Sequence, residues 1–154
     1  MSGIAPLWRL TRFEGLGQDD LYAALQLRCR VFILEQGPYL DPDGLDQRSA
    51  HLLCRQGSAG GALAAYLRIV DPGVRFDEPS IGRVITAPEF RGSGLGRLLM
   101  NKGIAECRSL WPGRAICISA QARLERFYQS LGFQTEGEPY IEDTIPHVHM
   151  RLPP

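Results

Sequence analysis

The fold of this chain is decided by the stretch Val84-Ile85-Thr86-Ala87-Pro88-Glu89-Phe90-Arg91-Gly92-Ser93-Gly94-Leu95-Gly96. Its first residues complete a run with strand composition, Ser80 to Thr86, which Pro88 ends. Apolar residues then recur at helical spacing from Gly94 to Leu110, and the pattern stops at Trp111-Pro112-Gly113. The stretch is therefore predicted to be a strand, a bend rich in glycine and the start of a helix.

The glycine-lined bend, residues 91–97, has the features of an anion site. Glycines at positions 92, 94 and 96 let the backbone turn sharply and let a ligand approach it closely. Each hydrogen bond from a free N–H of the first helical turn to a charged acceptor contributes roughly 1.5–3 kcal/mol, so several of them outweigh the ~2 kcal/mol of the helix dipole. Arg91 and Arg97 add positive charge, which favours a phosphate-bearing ligand. A tight turn that binds nothing is the alternative.

Two widespread phosphate-binding motifs are excluded at this bend. Its spacing is Gly-x-Gly-x-Gly and not GxGxxG, and no acidic ribose partner follows a further strand at the dinucleotide spacing. The chain also lacks GxxxxGK[ST], which excludes a Walker loop.

Alternation, helical spacing and turn residues predict the remaining elements. In chain order they are a strand over 8–13; a helix capped by Asp19 or Asp20 with the apolar stripe Leu21, Leu25, Cys29 and Phe32; an irregular loop over 35–49; an antiparallel pair of strands over 50–54 and 61–70; a loop over 71–79; a buried strand over 115–120; a helix over 123–131; and two strands within 133–152. One mixed α/β domain over residues 1–154 is expected.

Composition and charge narrow the class of protein. The chain has 154 residues, 44% of them hydrophobic, which is enough for one core. Its 17 acidic residues balance 17 basic ones, which disfavours binding to nucleic acid or to an anionic membrane. The segment Met1 to Pro6 lacks the pattern of a secretory signal, and no apolar run approaches the ~20 residues of a membrane span. A cytoplasmic protein is expected.

The cysteines and histidines do not form a recognisable metal motif. Cys29, Cys54, Cys107 and Cys117 lie in apolar segments without a CxxC pair, so we expect reduced thiols in the core. The three histidines lack cysteine or carboxylate partners at finger or zincin intervals, so no metal is expected.

The opening stretch resembles the core motif of the GNAT superfamily of N-acetyltransferases. That motif is a strand, a short bend and then [QR]-x-x-G-x-[GA] at a helix start, and Arg91, Gly94 and Gly96 occupy its fixed positions. Further segments, from about residue 20 to residue 152, resemble the ElaA-like branch of the superfamily. They are Leu27-Arg28-Cys29-Arg30-Val31-Phe32 with Glu35-Gln36, Asp41-Pro42-Asp43-Gly44-Leu45-Asp46, His51-Leu52, Ala65-Tyr66-Leu67-Arg68-Ile69, Ile81-Gly82-Arg83-Val84 and Glu142-Asp143-Thr144-Ile145-Pro146-His147.

The resemblance implies an α/β GNAT fold, with a mixed, mostly antiparallel sheet flanked by helices. Its fourth and fifth strands would splay apart, and acetyl-CoA would lie in the opening. Backbone groups of Val84, Ile85 and Thr86 would then hold the pantetheine arm and the thioester carbonyl. Gln121 falls where many relatives carry an asparagine that contacts the cofactor. The pyrophosphate would be held by Arg91, Gly92, Ser93, Gly94, Leu95, Gly96 and Arg97.

Tyr128 is the candidate catalytic acid. It lies in Arg126-Phe127-Tyr128-Gln129-Ser130-Leu131-Gly132-Phe133, which resembles the FYxxxGF segment that carries a general-acid tyrosine in this family. A phenol with a pKa near ~10 protonates a thiolate whose conjugate acid is near ~8.5 only through close positioning. The alternative is a core tyrosine with a satisfied hydroxyl.

The base that deprotonates the amine is not evident. A lysine-type amine with a pKa of ~10.4 is only about 0.04% neutral at pH 7, whereas an α-amine near ~7.8 is about 14% neutral. Some relatives place a glutamate on the fifth strand, where this chain has Ile116. The substitutes are a water chain or one of Glu35, Glu142, Asp143 and His147, of which the histidine has the side chain best suited to proton transfer near neutral pH.

Further assignments are expectations or stay open at this point. His51 is expected to be structural, and the acidic segment Asp41 to Asp46 either attracts a cationic amine or forms a solvated turn. The acceptor is a small amine or a peptide, and family habit favours a homodimer. A catalytically silent acyl-CoA-binding or sensing module is the alternative to an acetyltransferase.

Overall fold

Seven strands form one mixed sheet in the computed structural model, which describes residues 5–154. They are β1 Pro6–Arg12, β2 Ser49–Gln56, β3 Leu63–Val70, β4 Ser80–Thr86, β5 Ile116–Gln121, β6 Gln134–Glu142 and β7 Ile145–Leu152. The order across the sheet is β1-β2-β3-β4-β5-β7-β6, and β4–β5 is parallel while the other neighbours are antiparallel. The expected mixed sheet is confirmed. The expectation about the N-terminal segment rests partly on residues 1–4, which lie outside the described range.

The helices cover both faces of the sheet. They are α1 Gly17–Arg28, α2 Leu95–Leu110 and α3 Glu125–Gln129. Side chains of β3 alternate between the faces: Leu67 joins the cluster that contains Leu99 and Met100 of α2, while Tyr66 joins the cluster that contains Leu27 of α1. The near-complete burial of β3 follows from this double cover.

The predicted cap and stripe of α1 are wrong in detail. The residue before the helix is Leu16, which makes no side-chain cap, and Asp20 pairs instead with Arg9 and Arg55. The buried face lies one residue earlier than the predicted stripe, at Ala24, Leu27, Arg28 and Val31. Cys29 is exposed, whereas the other three cysteines are buried as expected. An arginine inside the buried face hid the true register, because apolar spacing alone locates the stripe.

Beyond α1 the chain makes a π-helical turn, Cys29–Ile33, closed by a hydrogen bond of 3.0 Å from the Leu34 N–H to the Cys29 carbonyl. The following loop carries the acidic segment, whose three aspartates all pair with arginines and are therefore not free carboxylates that could attract an amine. Asp41 and Asp46 are 2% and 7% exposed. Together with Asp43 they bind three arginines, and we call these six residues the buried ion network. Its members are Arg28, Arg68, Arg83, Asp41, Asp43 and Asp46.

The buried ion network ties the loop after α1 to β3 and β4. Arg28 donates to Asp41 at 2.9 Å and to Asp46 at 2.8 Å, and Arg68 reaches Asp46 at 2.9 Å. Arg83 of β4 donates to Asp41 at 2.9 Å. Burial by itself raises the pKa of Asp46, but hydrogen bonds and charge from Arg28 and then Arg68 lower that pKa below its ordinary value. The three positive and three negative charges therefore fix the loop beside the sheet.

His51 of β2 is structural, as expected. Its Nε2–H donates to the Asp46 carbonyl at 2.9 Å, and its Nδ1 accepts from the Tyr66 hydroxyl at 2.6 Å. Burial, assisted by the charges of Arg28 and Arg68, lowers the pKa of His51 against the opposing effect of Asp46. The folded protein therefore holds this imidazole neutral.

The lowered pKa of His51 predicts a loss of stability on mild acidification. The unfolded chain takes up this proton near pH ~6.5, whereas the folded chain does so only at lower pH. The free energy of unfolding from urea titrations should therefore decline as the pH falls below ~6.5, by at most ~1.4 kcal/mol per pH unit for this group. His51→Gln should flatten the decline between pH 7 and pH 5. Equal slopes in the variant and the parent protein would contradict this account.

Candidate active site

The strands β4 and β5 separate over most of their length. Within residues 5–154 they pair only at Ser80 and Cys117. The pairing of β3 with β4 shifts register opposite Tyr66 to Arg68, and Arg83 at that point has a φ of 52°, in the left-handed region. This bulge bends β4 away from β5. The splay that the resemblance implied is confirmed, and backbone groups on the facing edges lack a strand partner.

Two cavities meet in the opening between β4 and β5. The larger cavity, about 420 Å³, extends towards the start of α2. The smaller cavity, about 100 Å³, extends towards the turn between β6 and β7. Six residues line both cavities: Phe32, Gln36, Val84, Gln121, Leu124 and Tyr128. The opening is therefore one groove with a wide half and a narrow half.

The wide half contains much of the site predicted from the sequence. Among the candidate cofactor residues, the larger cavity is lined by Val84, Ile85, Thr86, Arg91, Gly96 and Gln121. The glycine-lined bend continues from it, with Gly92 and Gly94 at φ values of 77° and 83°. These values suit glycine, because a Cβ atom would be strained there. The first hydrogen bond at the start of α2 runs from the Leu98 N–H to the Gly94 carbonyl, so the N–H groups of residues 94–97 lack a helical partner.

Three polar side chains of the glycine-lined bend already have protein partners. Arg91 pairs with Glu35 at 3.1 Å, and Arg97 donates to the Ser130 hydroxyl at 2.9 Å. The exposed Ser93 hydroxyl is bonded to the Phe90 carbonyl at 2.7 Å. The two arginines therefore lie on either side of the bend, and each is bonded to a different residue of the protein.

Gln121 ends β5 and is held from both sides. Its Nε2 donates to the Gln36 Oε1 at 2.9 Å, and its Oε1 accepts from the Arg123 Nε at 3.0 Å. Gln36 belongs to the loop after α1, so this pair bridges the groove. Sequence reasoning did not assign Gln36 a role, because a contact across 85 positions leaves no local signal.

Tyr128 lies where the two cavities meet. The side chain is 7% exposed and packs edge to face on Phe127 and Phe133. No group within residues 5–154 hydrogen-bonds its hydroxyl, which opens to the groove, and the residue lines both halves. Burial raises the pKa of Tyr128 to about 12, with a small opposing effect from the Arg123 charge. The hydroxyl is thus a protonated donor without a partner, unlike a satisfied core tyrosine.

The candidate bases divide between the two halves. Glu35 lines the wide half and is paired with Arg91, whereas Glu142, Asp143 and His147 line the narrow half. Ile116 is buried in the core, so the position on β5 where the resemblance pointed to a glutamate in some relatives supplies no base. The topology brings the β6–β7 turn beside the end of β5, which a reading of local patterns could not foresee.

Other classes of site leave no trace in the described chain. Across residues 5–154 no three His, Cys, Asp or Glu side chains come close enough together to bind a metal ion. Over the same range, each helix is too short or too polar to cross a bilayer.

Known proteins with a similar sequence or fold include acyltransferases. The Acetyltransferase (GNAT) domain family matches residues 44–153. Protein ElaA of Escherichia coli is 41% identical over 146 residues, which cover 93% of this chain and 94% of that protein. The crystal structure of E. coli ElaA matches with a TM-score of 0.87, 38% identity and coverage of 96% of this chain and 99% of that one. An acyl-CoA N-acyltransferase from Pseudomonas aeruginosa matches with a TM-score of 0.88, 38% identity and the same coverage.

The sheet that opens between β4 and β5, the glycine-lined bend at α2 and the family match over most of the chain agree with one another. Identity of 41% to ElaA over nearly the full length of both proteins places the chain in the ElaA-like branch of the family. The chain belongs to the GNAT acetyltransferase family, whose members transfer acyl groups from acyl-CoA, and it is an enzyme of the ElaA-like branch.

Proposed function

We propose that residues 1–154 form one catalytic domain that moves the acetyl group of acetyl-CoA to a primary amine, with Tyr128 as general acid. The observation that carries the proposal is the Tyr128 hydroxyl, which is protonated, has no hydrogen-bond partner among the described residues and opens to the groove where the two cavities meet. A protonated donor that opens to the groove is available to hydrogen-bond a ligand there.

The wide half of the groove fits the diphosphate and the pantetheine arm of coenzyme A. Four N–H groups at the start of α2 offer hydrogen bonds to phosphate oxygens, and Arg91 and Arg97 flank them. The unpaired backbone edge of β4 at Val84 to Thr86 offers donors and acceptors to the two amides of pantetheine. Acetyl-CoA supplies an activated acetyl thioester. This chain would orient it with the sulfur beside Tyr128.

Tyr128 would give its proton to the departing sulfur. Its pKa of about 12 lies above the ~8.5 of an ordinary thiol, so complete transfer of the proton to a free thiolate is unfavourable. The donation is therefore timed with cleavage of the C–S bond, inside a site where a bare thiolate is poorly solvated. An amine enters from the narrow half, whose volume of about 100 Å³ suits an unbranched primary amine on a small molecule or a peptide.

A turnover screen tests the function. Purified protein is incubated with acetyl-CoA and a panel of primary amines, and release of free thiol is followed. We expect release that depends on the amine, together with coenzyme A binding measured by calorimetry. Binding without release for every amine class would favour the silent binding module. The absence of binding would reject the site itself.

Filling the wide half should weaken coenzyme A binding without unfolding the protein. Gly96 lies in the first turn of α2 and lines the larger cavity, so Gly96→Val places a branched side chain where the diphosphate would approach. We expect at least a tenfold rise in the Kd measured by calorimetry. Asn101→Val is the matched control, since it puts valine on the exposed side of the same helix. A similar Kd for both variants would move the binding site away from this bend.

A further inference from the structure

The tautomer of His147 follows from its backbone contact. Its Nδ1 lies 2.7 Å from the Ile145 carbonyl oxygen. A carbonyl only accepts hydrogen bonds, so Nδ1 carries a proton. In the neutral ring Nε2 is then a bare acceptor, and this atom lies 3.6 Å from a carboxylate oxygen of Glu142. Two acceptors face each other in the narrow half of the groove.

The Glu142 carboxylate is fixed in that orientation. Arg75 donates to its Oε1 at 2.8 Å, and the Ser119 hydroxyl donates to its Oε2 at 3.1 Å. The His147 ring is 8% exposed and stacks on the Tyr140 ring, which also restrains it. Neither acceptor can turn away to relieve the opposition. The opposition is relieved by a proton on Nε2, or by a ligand that offers N–H donors to both atoms from the open side of the groove.

We propose that the Glu142 carboxylate and the His147 Nε2 form the site that receives the acceptor as an ammonium ion, and that His147 takes the proton which must leave before acetyl transfer. This inference rests on the proposed function and names its base. The narrow half lies on the opposite side of Tyr128 from the wide half, so an amine held there approaches the thioester from the free side.

The proton and electron balance of the step is complete. One N–H proton of the ammonium passes to the His147 Nε2, and the freed nitrogen lone pair forms the C–N bond with the acetyl carbon. The C–S bond breaks, and its electron pair leaves on the sulfur, which takes the Tyr128 proton. The nitrogen carries a positive charge once the C–N bond has formed, and it gives a second proton to water as the amide becomes neutral. The imidazolium then loses its proton to water and Tyr128 regains one from water, so one proton is released per turnover.

Other charged and titratable groups also face this site. Glu142 and Tyr140 belong to β6, Asp143 lies in the turn, Arg75 reaches in from the loop before β4, and Arg83 lines the same cavity from β4. Arg75 is committed to Glu142 and Arg83 to Asp41. Among these groups only the His147 Nε2 is both a bare acceptor and mostly buried, which singles it out as the base.

Nuclear magnetic resonance tests the geometry without any turnover. Long-range ¹H–¹⁵N spectra of the full chain at pH 8 should show His147 protonated at Nδ1 and bare at Nε2. Propylammonium chloride should then shift the His147 Nε2 resonance, whereas tetramethylammonium, which has no N–H, should not. His149 is an internal control. It lies on β7 like His147, and its Nε2 is 3.8 Å from a carboxylate oxygen of Glu136 on β6, but it lines neither cavity. A proton on Nε2, or equal shifts at both histidines, would overturn the proposal.

Kinetics test the proton transfer. His147→Gln should lower kcat/KM for propylamine at pH 7 by roughly 10²-fold or more, and the residual rate should rise tenfold per pH unit as the free amine fraction grows. The kcat/KM for glycinamide, an α-amine of the class with a pKa near ~7.8, should fall by a smaller factor. His149→Gln should behave as the parent protein.

The kinetic arm also separates this proposal from the proposed function. Coenzyme A affinity should be unchanged in His147→Gln, because the residue lies outside the wide half. If the variant keeps the parent's pH profile while Tyr128 still matters, the base assignment is wrong and the acetyltransferase stands. If the parent protein binds no coenzyme A, the proposed function fails first.

Discussion

Replacing Tyr128 by phenylalanine is expected to slow acetyl transfer roughly 10²–10⁴-fold, the usual range for loss of a positioned general acid. The phenyl ring keeps the edge-to-face packing on Phe127 and Phe133, so only the hydroxyl is removed. Coenzyme A affinity should stay within about twofold, because the bend and the backbone of β4 are untouched. Thiol release and calorimetry on the same preparation measure the two effects.

The pH dependence of the parent enzyme gives a second measure of this role. Since burial raises the pKa of Tyr128 to about 12, the phenol stays protonated throughout the assay range. We therefore expect deprotonation of Tyr128 to cause no loss of kcat up to pH ~10. On the alkaline side, the pH profile of the parent enzyme should match that of the Tyr128→Phe variant. Tyr22→Phe, the same change on the exposed side of α1, is the control. A Tyr128→Phe enzyme with parental kcat would return this tyrosine to a packing role.

Replacing Asp46 by alanine is expected to lower the free energy of unfolding by about 3–5 kcal/mol. Asp46 accepts from both Arg28 and Arg68, which are 1% and 0% exposed, so the change leaves two buried guanidinium groups short of their counter-charge. Arg68 has little spare capacity, because its Nε already lacks a partner within the described residues. Urea unfolding monitored by tryptophan fluorescence measures the loss.

A surface ion pair provides the matched control for this loss. Arg12 and Asp71 form a bidentate pair at 2.7 and 2.8 Å, but both side chains are partly open to solvent. Asp71→Ala should cost no more than ~1 kcal/mol, since water screens the pair. Equal losses in the two variants would show that burial does not set the strength of the network.

Local sequence patterns predicted the sheet and its helices well. Strands with β-branched or alternating residues, such as β3 and β7, were located to within a few positions, and Gly94 marked the start of α2. The α1 register was missed because its buried face includes Arg28, whose charge is neutralised by aspartates 13 and 18 positions away. Pairing at such separations is a tertiary property, and no window of residues along the chain contains it.

The residues of the candidate site also fall into those that lie in contiguous motifs and those whose role depends on distant contacts. The glycine-lined bend and Tyr128 stand in contiguous motifs, so the sequence was sufficient to nominate them. Glu142 and His147 were named only among several substitutes, because their importance depends on Ser119 and Arg75, which come from a different strand and a distant loop. The acidic segment was left as either an attractor of amines or a solvated turn, because the three arginines that pair with it lie on three different elements.

The buried ion network also limits how this enzyme can evolve. A substitution that removes the charge at one of its six positions leaves an opposite charge short of a partner, so the protein is destabilised unless a second substitution compensates. These positions should therefore vary together among relatives or not at all. Leu40 and Pro42 lie on the exposed outside of the same loop and carry no charge that the network needs, so substitutions there should be tolerated. Diversification of the loop is thus confined to its outer surface, while its attachment to β3 and β4 is inherited as a unit.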